Sequence, residues 1–454
     1  MNALSAPNFV LLQPYLRSIA LPFRIGCRQR TGAVPRHEVN IFRKQTLLSL
    51  TDSKAIPMPR ARLRDLGLTV GTLTPGPFNA ITDVAGVKVG YSTLILDTPR
   101  IVRTGVTAIW PRGPEIWSDY VFAGTFSFNG NGEMTGLPWL AEQGLLGAPI
   151  GITNTYQVGV VRDAITAIAV RDGASQAFHL PVVAETYDGW LSDIQSFALT
   201  QEHAFAAFDS AVGGCPIDEG NIGGGTGMIC HEFKGGTGTS SRVIVENGEN
   251  YTVGALVQAN YGARDLLRID GVPVGREIGP DIVPAHRSAK RAVAQPQTEG
   301  SIIVVLATDA PLIPIQCQRL ARRATVGLSR VGGIGANGSG DIFVAFSTAN
   351  HIGQNDKISS VKMLAPDAMT SLFQASAEAT EEAILNVHGR DYDRPRRSHR
   401  PRPAARSPAR RDAEVPAQAR RVSNSTNRIG PGLRPAGAIR LRLCVQNIRR
   451  SDGG

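Results

Sequence analysis

Short runs of β-branched residues, each bounded by turn-forming residues, recur through the middle of this chain and limit what it can fold into. SIIVVLAT (301–308), RVIVE (242–246), YTVGALVQA (251–259) and IFVAFS (342–347) have the length and composition of strands. Glu246, Asn247 and Gly248 fit a hairpin turn between two of them, because Asn-Gly accepts the positive φ that a two-residue connection requires. Helical spacing lies between the runs. Within 316–330, Leu320, Ala324 and Leu328 repeat at i, i+4 and i+8 with arginines on the other face. Residues 367–387 have the length and the Ala and Glu content of a helix. Strands mixed with helices indicate an α/β or α+β domain.

The net charge of +10 suggests a nucleic-acid partner until it is located. Residues 390–454 hold 17 Arg, no Lys and 5 acids, a net +12, so the remaining 389 residues carry −2. The basic character belongs to a tail, and the body calls for no nucleic acid. The tail, 391–454, is rich in Arg, Pro, Ala and Ser and lacks an apolar pattern, so it is expected to be disordered. Its abrupt start also fits out-of-frame translation of GC-rich DNA. Residues 1–57 contain a single acid before Asp52 and no sustained periodicity, and read as a disordered extension upstream of a start at Met58. The patterned domain therefore spans 58–390. No apolar run reaches the roughly 18–20 residues of a membrane span, and no secretory h-region is convincing, so the expected compartment is the cytoplasm. Five cysteines, at 27, 215, 230, 317 and 444, form no CxxC, and His231-Glu232 does not continue to HExxH because position 235 is Gly. No metal site or disulfide framework is expected.

Gly333, Gly335 and Gly338 form a GxGxxG, the spacing of a dinucleotide-binding loop. A dinucleotide site needs a strand before the glycines and a helix after them, so that a helix N-terminus meets the pyrophosphate. Here the helical pattern comes first and the strand second, which argues against a nucleotide. A glycine followed by a serine at the first position of a strand suits another chemistry. If Ser339 Oγ attacks the carbonyl of Gly338, an ester forms whose hydrolysis cuts the chain. Gly338, without a Cβ, would tolerate the strained backbone of that attack, and Ser339 would emerge with a free α-amine. On spacing alone, an ordinary loop with a serine opening a strand fits these residues at least as well.

Eleven stretches between 60 and 390 bear on that choice. They are RARLRDLGL, GPFNAITDVAGVKVGYSTL, FSFNGNGEMTGLPW, TNTYQVGVVRDA, PVVAETYDGWLSDI, EGNIGGGTGM, EFKGGTGTSSR, LVQANYG, GVPVGRE, ATDAPL and GANGSGDIFVAFST. In this order they resemble the DmpA/BapA group of aminopeptidases (L-aminopeptidase/D-esterase, peptidase family S58), which are self-cleaving N-terminal-nucleophile hydrolases. The resemblance covers about three quarters of the chain. It implies an αββα four-layer sandwich, a fold shared with the ornithine acetyltransferases, in which a single domain is self-cleaved into two chains.

Residue by residue, the resemblance implies that the bond between Gly338 and Ser339 is cut and that Ser339 becomes the nucleophile. Glu185 would receive the ammonium of the substrate, as a carboxylate is suited to do, and Tyr187 would line the site. Asn260 would supply an oxyanion-hole amide; by itself it could equally end the 251–259 strand. A Ser/Thr-x-Glu pair assisting the nucleophile is either Ser376 with Glu378 or Thr380 with Glu382. The second is preferred from the surrounding ATEEAI pattern, at a helix start, with the other pair on a solvated face. The implied activity is removal of N-terminal residues from small peptides, amides or esters, without cofactor or metal, by a homo-oligomer of cleaved pairs. An acyltransferase resembling the ornithine acetyltransferases is the alternative enzyme, although those use Thr at the cut; an inactive remnant with an altered C-terminus is the alternative outside enzymes.

Overall fold

The Asn-Gly turn is where sequence and backbone meet most directly. Asn247 (φ 53) and Gly248 (φ 80) are both left-handed, and they close the hairpin between β9 (Gly236–Glu246) and β10 (Glu249–Asn260), with Glu246 opposite Glu249. The computed structural model describes residues 61–174, 178–283 and 300–388. The extension to residue 57, the tail from 391, Cys27 and Cys444 lie outside the described residues, as does the disorder expected of both termini.

The β9–β10 hairpin forms one side of a six-stranded sheet of order β4-β3-β12-β11-β10-β9. Its other members are β3 (Asp119–Gly130), β4 (Leu145–Leu146), β11 (Gly300–Thr308) and β12 (Ser339–Gly353). A four-stranded sheet has the order β1-β2-β5-β6, from β1 (Lys88–Leu96), β2 (Val102–Trp110), β5 (Ile150–Asn154) and β6 (Val182–Thr186). Residues 229–234 add a small ribbon of β7 (Ile229–Cys230) and β8 (Phe233–Lys234). Only the pairs β5–β6 and β11–β12 are parallel among the described strands. A parallel pair needs a crossover, and a helix lies between each: α2 (Val158–Arg171) for the first and α4 (Pro314–Val331) for the second.

Every residue of β11 is buried, which explains why SIIVVLAT is a continuous apolar run and not an alternating one. Alternate side chains feed two cores. Ile303, Val305, Ile342, Val344 and Phe346 pack with the four-stranded sheet, α2 and α3 (Gln201–Asp209). Ile302, Val304, Leu306, Phe343 and Ala345 pack with α4 and the last helix, α5 (Met369–Asn386). A short α1 (Leu137–Gln143) follows β3. In α4, Leu320, Ala324 and Leu328 are all buried, as their spacing requires. Among the described residues, no helix is long and apolar enough to cross a membrane.

The last helix departs from its reading. It is continuous from Met369, so both Ser/Thr-x-Glu pairs lie in mid-helix, away from the favourable N-terminal dipole. Neither pair is solvated: Ser376, Glu378, Thr380 and Glu382 are all buried. The physical reason is Arg242 of β9, whose guanidinium is wholly buried against this helix and donates to Glu378 Oε2 (3.2 Å) and Glu382 Oε2 (2.7 Å). Glu382 also accepts from Arg64 Nε (2.9 Å) and Asn79 Nδ2 (2.5 Å). Glu378 accepts from the amides of Thr72 and Leu73, both at 3.0 Å. Burial opposes the ionisation of both carboxyls, but these donors outweigh it and hold both below the usual carboxylate range.

Removing one member leaves a buried charge unpaired. Glu382→Gln is expected to destabilise the fold by about 3–5 kcal/mol, read from the midpoint of denaturant unfolding. Because both carboxyls are depressed in the folded state, their contribution is complete above the unfolded value of about 4.3 and is lost as pH falls through the folded values. Wild-type stability should therefore drop steeply below about pH 4.5, and less steeply in Glu382→Gln; equal slopes would exclude this origin.

Candidate active site

Residue 339 opens β12, and the turn before it is tight: Ser339 N donates to Ala336 O (2.8 Å). Strand geometry places residues two apart on one face, so Ser339 and Asp341 point together toward the α4 and α5 side. Ser339 Oγ donates to Asp341 Oδ1 at 2.6 Å, and both residues are 2% exposed. Burial pushes the Asp341 carboxyl up to about 6, against the pull of Ser339 and of the Ile302 amide. The carbonyl preceding the serine is held as well, by Asn131 Nδ2, which donates to Gly338 O at 2.9 Å. Asn131 N donates to Ser339 O (3.2 Å), and Asn129 Nδ2 donates to Ala336 O. The loop from the end of β3 thus clamps the turn on both sides of the Gly338–Ser339 peptide. Gly338 itself is not among the residues with positive φ; in this loop those are Gly332 (φ 108) and Gly335 (φ 62). The strain expected at Gly338 is absent from its φ.

Three of the residues singled out by resemblance lie beside this turn, on the opposite face of the sheet. Asn260, the last residue of β10, is level with Ser301 and through it with Gly340. Its side chain points toward the four-stranded sheet, where Nδ2 donates to Tyr187 O (2.8 Å) and Oδ1 accepts from Ile229 N (2.9 Å). That use leaves one amide hydrogen of Asn260 uncommitted. Glu185 on β6 is 3% exposed and accepts from Glu133 N (3.0 Å) and from Thr155 Oγ1. Gly132 lies between Glu185 and β12: a Cβ there would sit 3.2 Å from Glu185 Oε1 and 3.1 Å from Gly340 Cα. Tyr187 is 37% exposed, with its ring edge-on to Trp190 at 6.3 Å.

Charge in this region is unbalanced. Burial raises the carboxyl of Glu185, and it pushes the fully buried Asp188 up to about 7, with Glu185 adding to the shift. Two desolvated carboxyls close together favour an incoming cation. Among the described residues, no group of His, Cys, Asp and Glu is gathered to hold a metal ion.

The structure does not bring Thr380 and Glu382 to Ser339. Glu382 is engaged by Arg242 on β9, three strands from β12 and roughly 14 Å across the sheet at about 4.8 Å per strand. Ser376 and Glu378 are no nearer in role: Ser376 Oγ donates to Leu320 O, and Glu378 joins the same arginine. The carboxylate that the serine does meet, Asp341, was open to a period-two reading of Ser-Gly-Asp at the start of a strand. Asn131 carried no such signal, because only the pairing of β3 with β12 brings it there.

The close backbone approach at Gly340 gives a direct test. A Cβ at this position would lie 2.5 Å from Asn131 O and 2.7 Å from Gly132 Cα, both backbone atoms that cannot swing aside. Gly340→Ala is expected to lower the unfolding temperature by several degrees, as about 1–3 kcal/mol of overpacking would; an unchanged melting curve would mean the β3 loop is not held against β12.

Comparison with known proteins places the chain in a family. The model of peptidase family S58 matches residues 79–388. Beta-peptidyl aminopeptidase BapA of Sphingosinicella microcystinivorans is 50% identical over 340 residues, covering 72% of this chain and 85% of that protein. A beta-aminopeptidase from Burkholderia sp. superposes with a TM-score of 0.65 at 49% identity, covering 72% of this chain and 91% of its own. The L-aminopeptidase D-Ala-esterase/amidase of Ochrobactrum anthropi, described as a prototype for the serine aminopeptidases and a new variant among the Ntn-hydrolase fold, gives 0.65 at 45%, covering 72% and 90%.

Proposed function

This chain belongs to peptidase family S58, and on that premise we propose that it is an aminopeptidase that cuts itself between Gly338 and Ser339 and then uses Ser339 as its nucleophile. The observation that carries the reading is the pairing of Ser339 Oγ with Asp341 Oδ1 at 2.6 Å beside a Gly338 carbonyl held by Asn131 at 2.9 Å. Asp341 takes the proton of Ser339 Oγ as that oxygen attacks the Gly338 carbonyl carbon. Asn131 Nδ2 donates to the oxyanion that develops, a role of the kind that supplies several kcal/mol in acyl transfer, typically about 3. Collapse breaks the C–N bond, and the proton passes to the departing nitrogen of Ser339. Water then hydrolyses the ester, leaving a Gly338 carboxylate and a free α-amine on Ser339.

The same residue then serves the substrate. In the uncut chain its Oγ faces the α4 and α5 side, whereas Asn260 and Glu185 lie toward the four-stranded sheet. Once the peptide is cut, residue 339 is tethered from one side only and can turn toward Asn260. A free N-terminus docks its ammonium on Glu185, where the desolvated carboxyls gain most from a cation, and Asn260 supplies the remaining amide hydrogen to the tetrahedral intermediate. The substrates are small peptides, amides or esters with a free N-terminus. Helices packed outside two sheets support reading the fold as an αββα sandwich, and a homo-oligomer of cleaved pairs belongs to the same proposal. The acyltransferase alternative has no observation in its favour.

Intact mass under denaturing conditions tests the first step. Wild type should yield two fragments, ending at Gly338 and beginning at Ser339, while Ser339→Ala stays whole; an uncut wild-type chain would sink the reading. Because Asp341 must be ionised to accept a proton, cleavage should slow as pH falls through about 6, and Asp341→Asn should slow it by about 100-fold or more. In the cleaved enzyme, Glu185→Gln should raise KM for an aminoacyl p-nitroanilide far more than it lowers kcat. A change in kcat alone would remove Glu185 from ammonium binding.

A further inference from the structure

Tyr261 follows Asn260 and is 5% exposed, yet its hydroxyl is buried without a hydrogen-bond partner. A buried donor left unmade costs about 1–3 kcal/mol, so its retention asks for a reason. The sheet register supplies one. Gly300 is level with Ser339 on one side, and on the other a Cβ at Gly300 would lie 2.7 Å from Tyr261 Cα. Tyr261, just past the end of β10, therefore lies in a row with Gly300 and Ser339, and the middle position carries no side chain. The Tyr261 side chain belongs to the core on the α4 and α5 side, the face that Ser339 and Asp341 share. Only a glycine separates this phenol from the pair that starts the cut.

The charges around it narrow its role. Burial raises the phenol well above its ordinary value, and Cys230 and Asp341 raise it further. Two of its titratable neighbours hold their charge state, and beyond them His388 lies 6.2 Å from the His231 ring. Burial keeps the Cys230 thiol at about 12 and His231, edge-on to the Tyr261 ring at 4.9 Å, at about 4. Beyond Cys230, the Lys234 ammonium donates to the carbonyls of Gly225, Met228 and Gly235. Of Asp341, Cys230 and His231, Asp341 alone changes charge between pH 5 and 8.

We infer that Tyr261 is a positioning residue for self-cleavage, its hydroxyl closing on the Asp341 carboxylate and keeping it ionised and turned toward Ser339. This rests on the reading of Ser339 given above. Contacts of this kind are commonly long before reaction and tighten as charge develops, which accounts for a hydroxyl that is unpaired in the resting chain. A donor to the charged form lowers a carboxyl pKa, so deleting it raises that pKa and moves the half-maximal pH of cleavage upward.

The test follows the full-length chain by intact mass after cell-free synthesis and dilution into buffers from pH 5 to 8. Wild type, Tyr261→Phe and Ser339→Ala are compared. Tyr261→Phe is expected to shift the midpoint of cleavage upward by about one pH unit, making the reaction about fivefold slower at pH 6, with no loss of thermal stability because the unpaired hydroxyl is gone. Replacement of Tyr261 by 3-fluorotyrosine, a stronger donor of nearly the same shape, should move the midpoint downward. Wild-type midpoints in both variants would mean that Tyr261 only fills the core, and would overturn the inference while leaving self-cleavage intact. An uncut wild-type chain would overturn both.

Discussion

A guanidinium with no exposed surface must be neutralised where it lies, and the placement of Arg242 organises much of this molecule. It sits on β9, beneath the last helix, and draws Glu378 and Glu382 inward from residues that would otherwise face water. Those carboxylates hold Arg64, the amides of Thr72 and Leu73, and Asn79, which ties the first described segment to the last helix more than 300 residues away in sequence. The helix so fixed packs on α4, where Arg330 donates to Glu381 at 3.1 Å. Gly327 abuts Ala377 O closely enough that no Cβ would fit. The end of α4 releases the chain into the loop that delivers Ser339. A structural ion cluster therefore sets the position from which the turn before Ser339 is launched, while its own carboxylates stay engaged with Arg242.

That cluster marks the boundary of what was legible. The strands, the Asn-Gly hairpin and the buried stripe of α4 follow from local period and turn chemistry, and each appears where its residues put it. The role given to Thr380 and Glu382 rested on residue types at a spacing, and such a pattern does not reveal which carboxylates have a buried counter-ion. Arg242 stands in a strand-like run 136 and 140 residues before its partners, and only the sheet brings them together. Asp341 was within reach of sequence reasoning, because two residues apart in a strand means one face. Asn131 was not, since its contact depends on the antiparallel pairing of β3 with β12.

The pKa shifts separate two kinds of buried acid. Glu378 and Glu382 are surrounded by donors that outweigh desolvation, and they stay ionised as structural anions. For Glu185, Asp188 and Asp341, burial prevails over the few donors present, and each carboxyl is raised. A poised carboxyl can change its charge within the ordinary pH range, and a depressed one cannot. By that criterion Glu378 and Glu382 are the wrong kind for proton transfer, whereas Asp341 near the start of β12, Glu185 on β6 and Asp188 just after it are of the right kind.

The glycines around residue 339 complete the picture, because their contribution is closeness more than flexibility. A phosphate-binding loop uses glycine so that backbone amides can surround a ligand. At Gly132, Gly300 and Gly340 the space beside the missing side chain is filled by protein: by Glu185 and Gly340, by Tyr261, and by Asn131. A side chain at any of the three would push apart elements whose separation sets the geometry of the Gly338–Ser339 peptide. Asp341, the proton acceptor we propose, and Glu185, the proposed anchor for an incoming ammonium, are thereby held close to the start of β12 on opposite sides of its sheet. A single serine at the strand end can serve first one and then the other, provided that the bond holding it to Gly338 is broken between the two tasks.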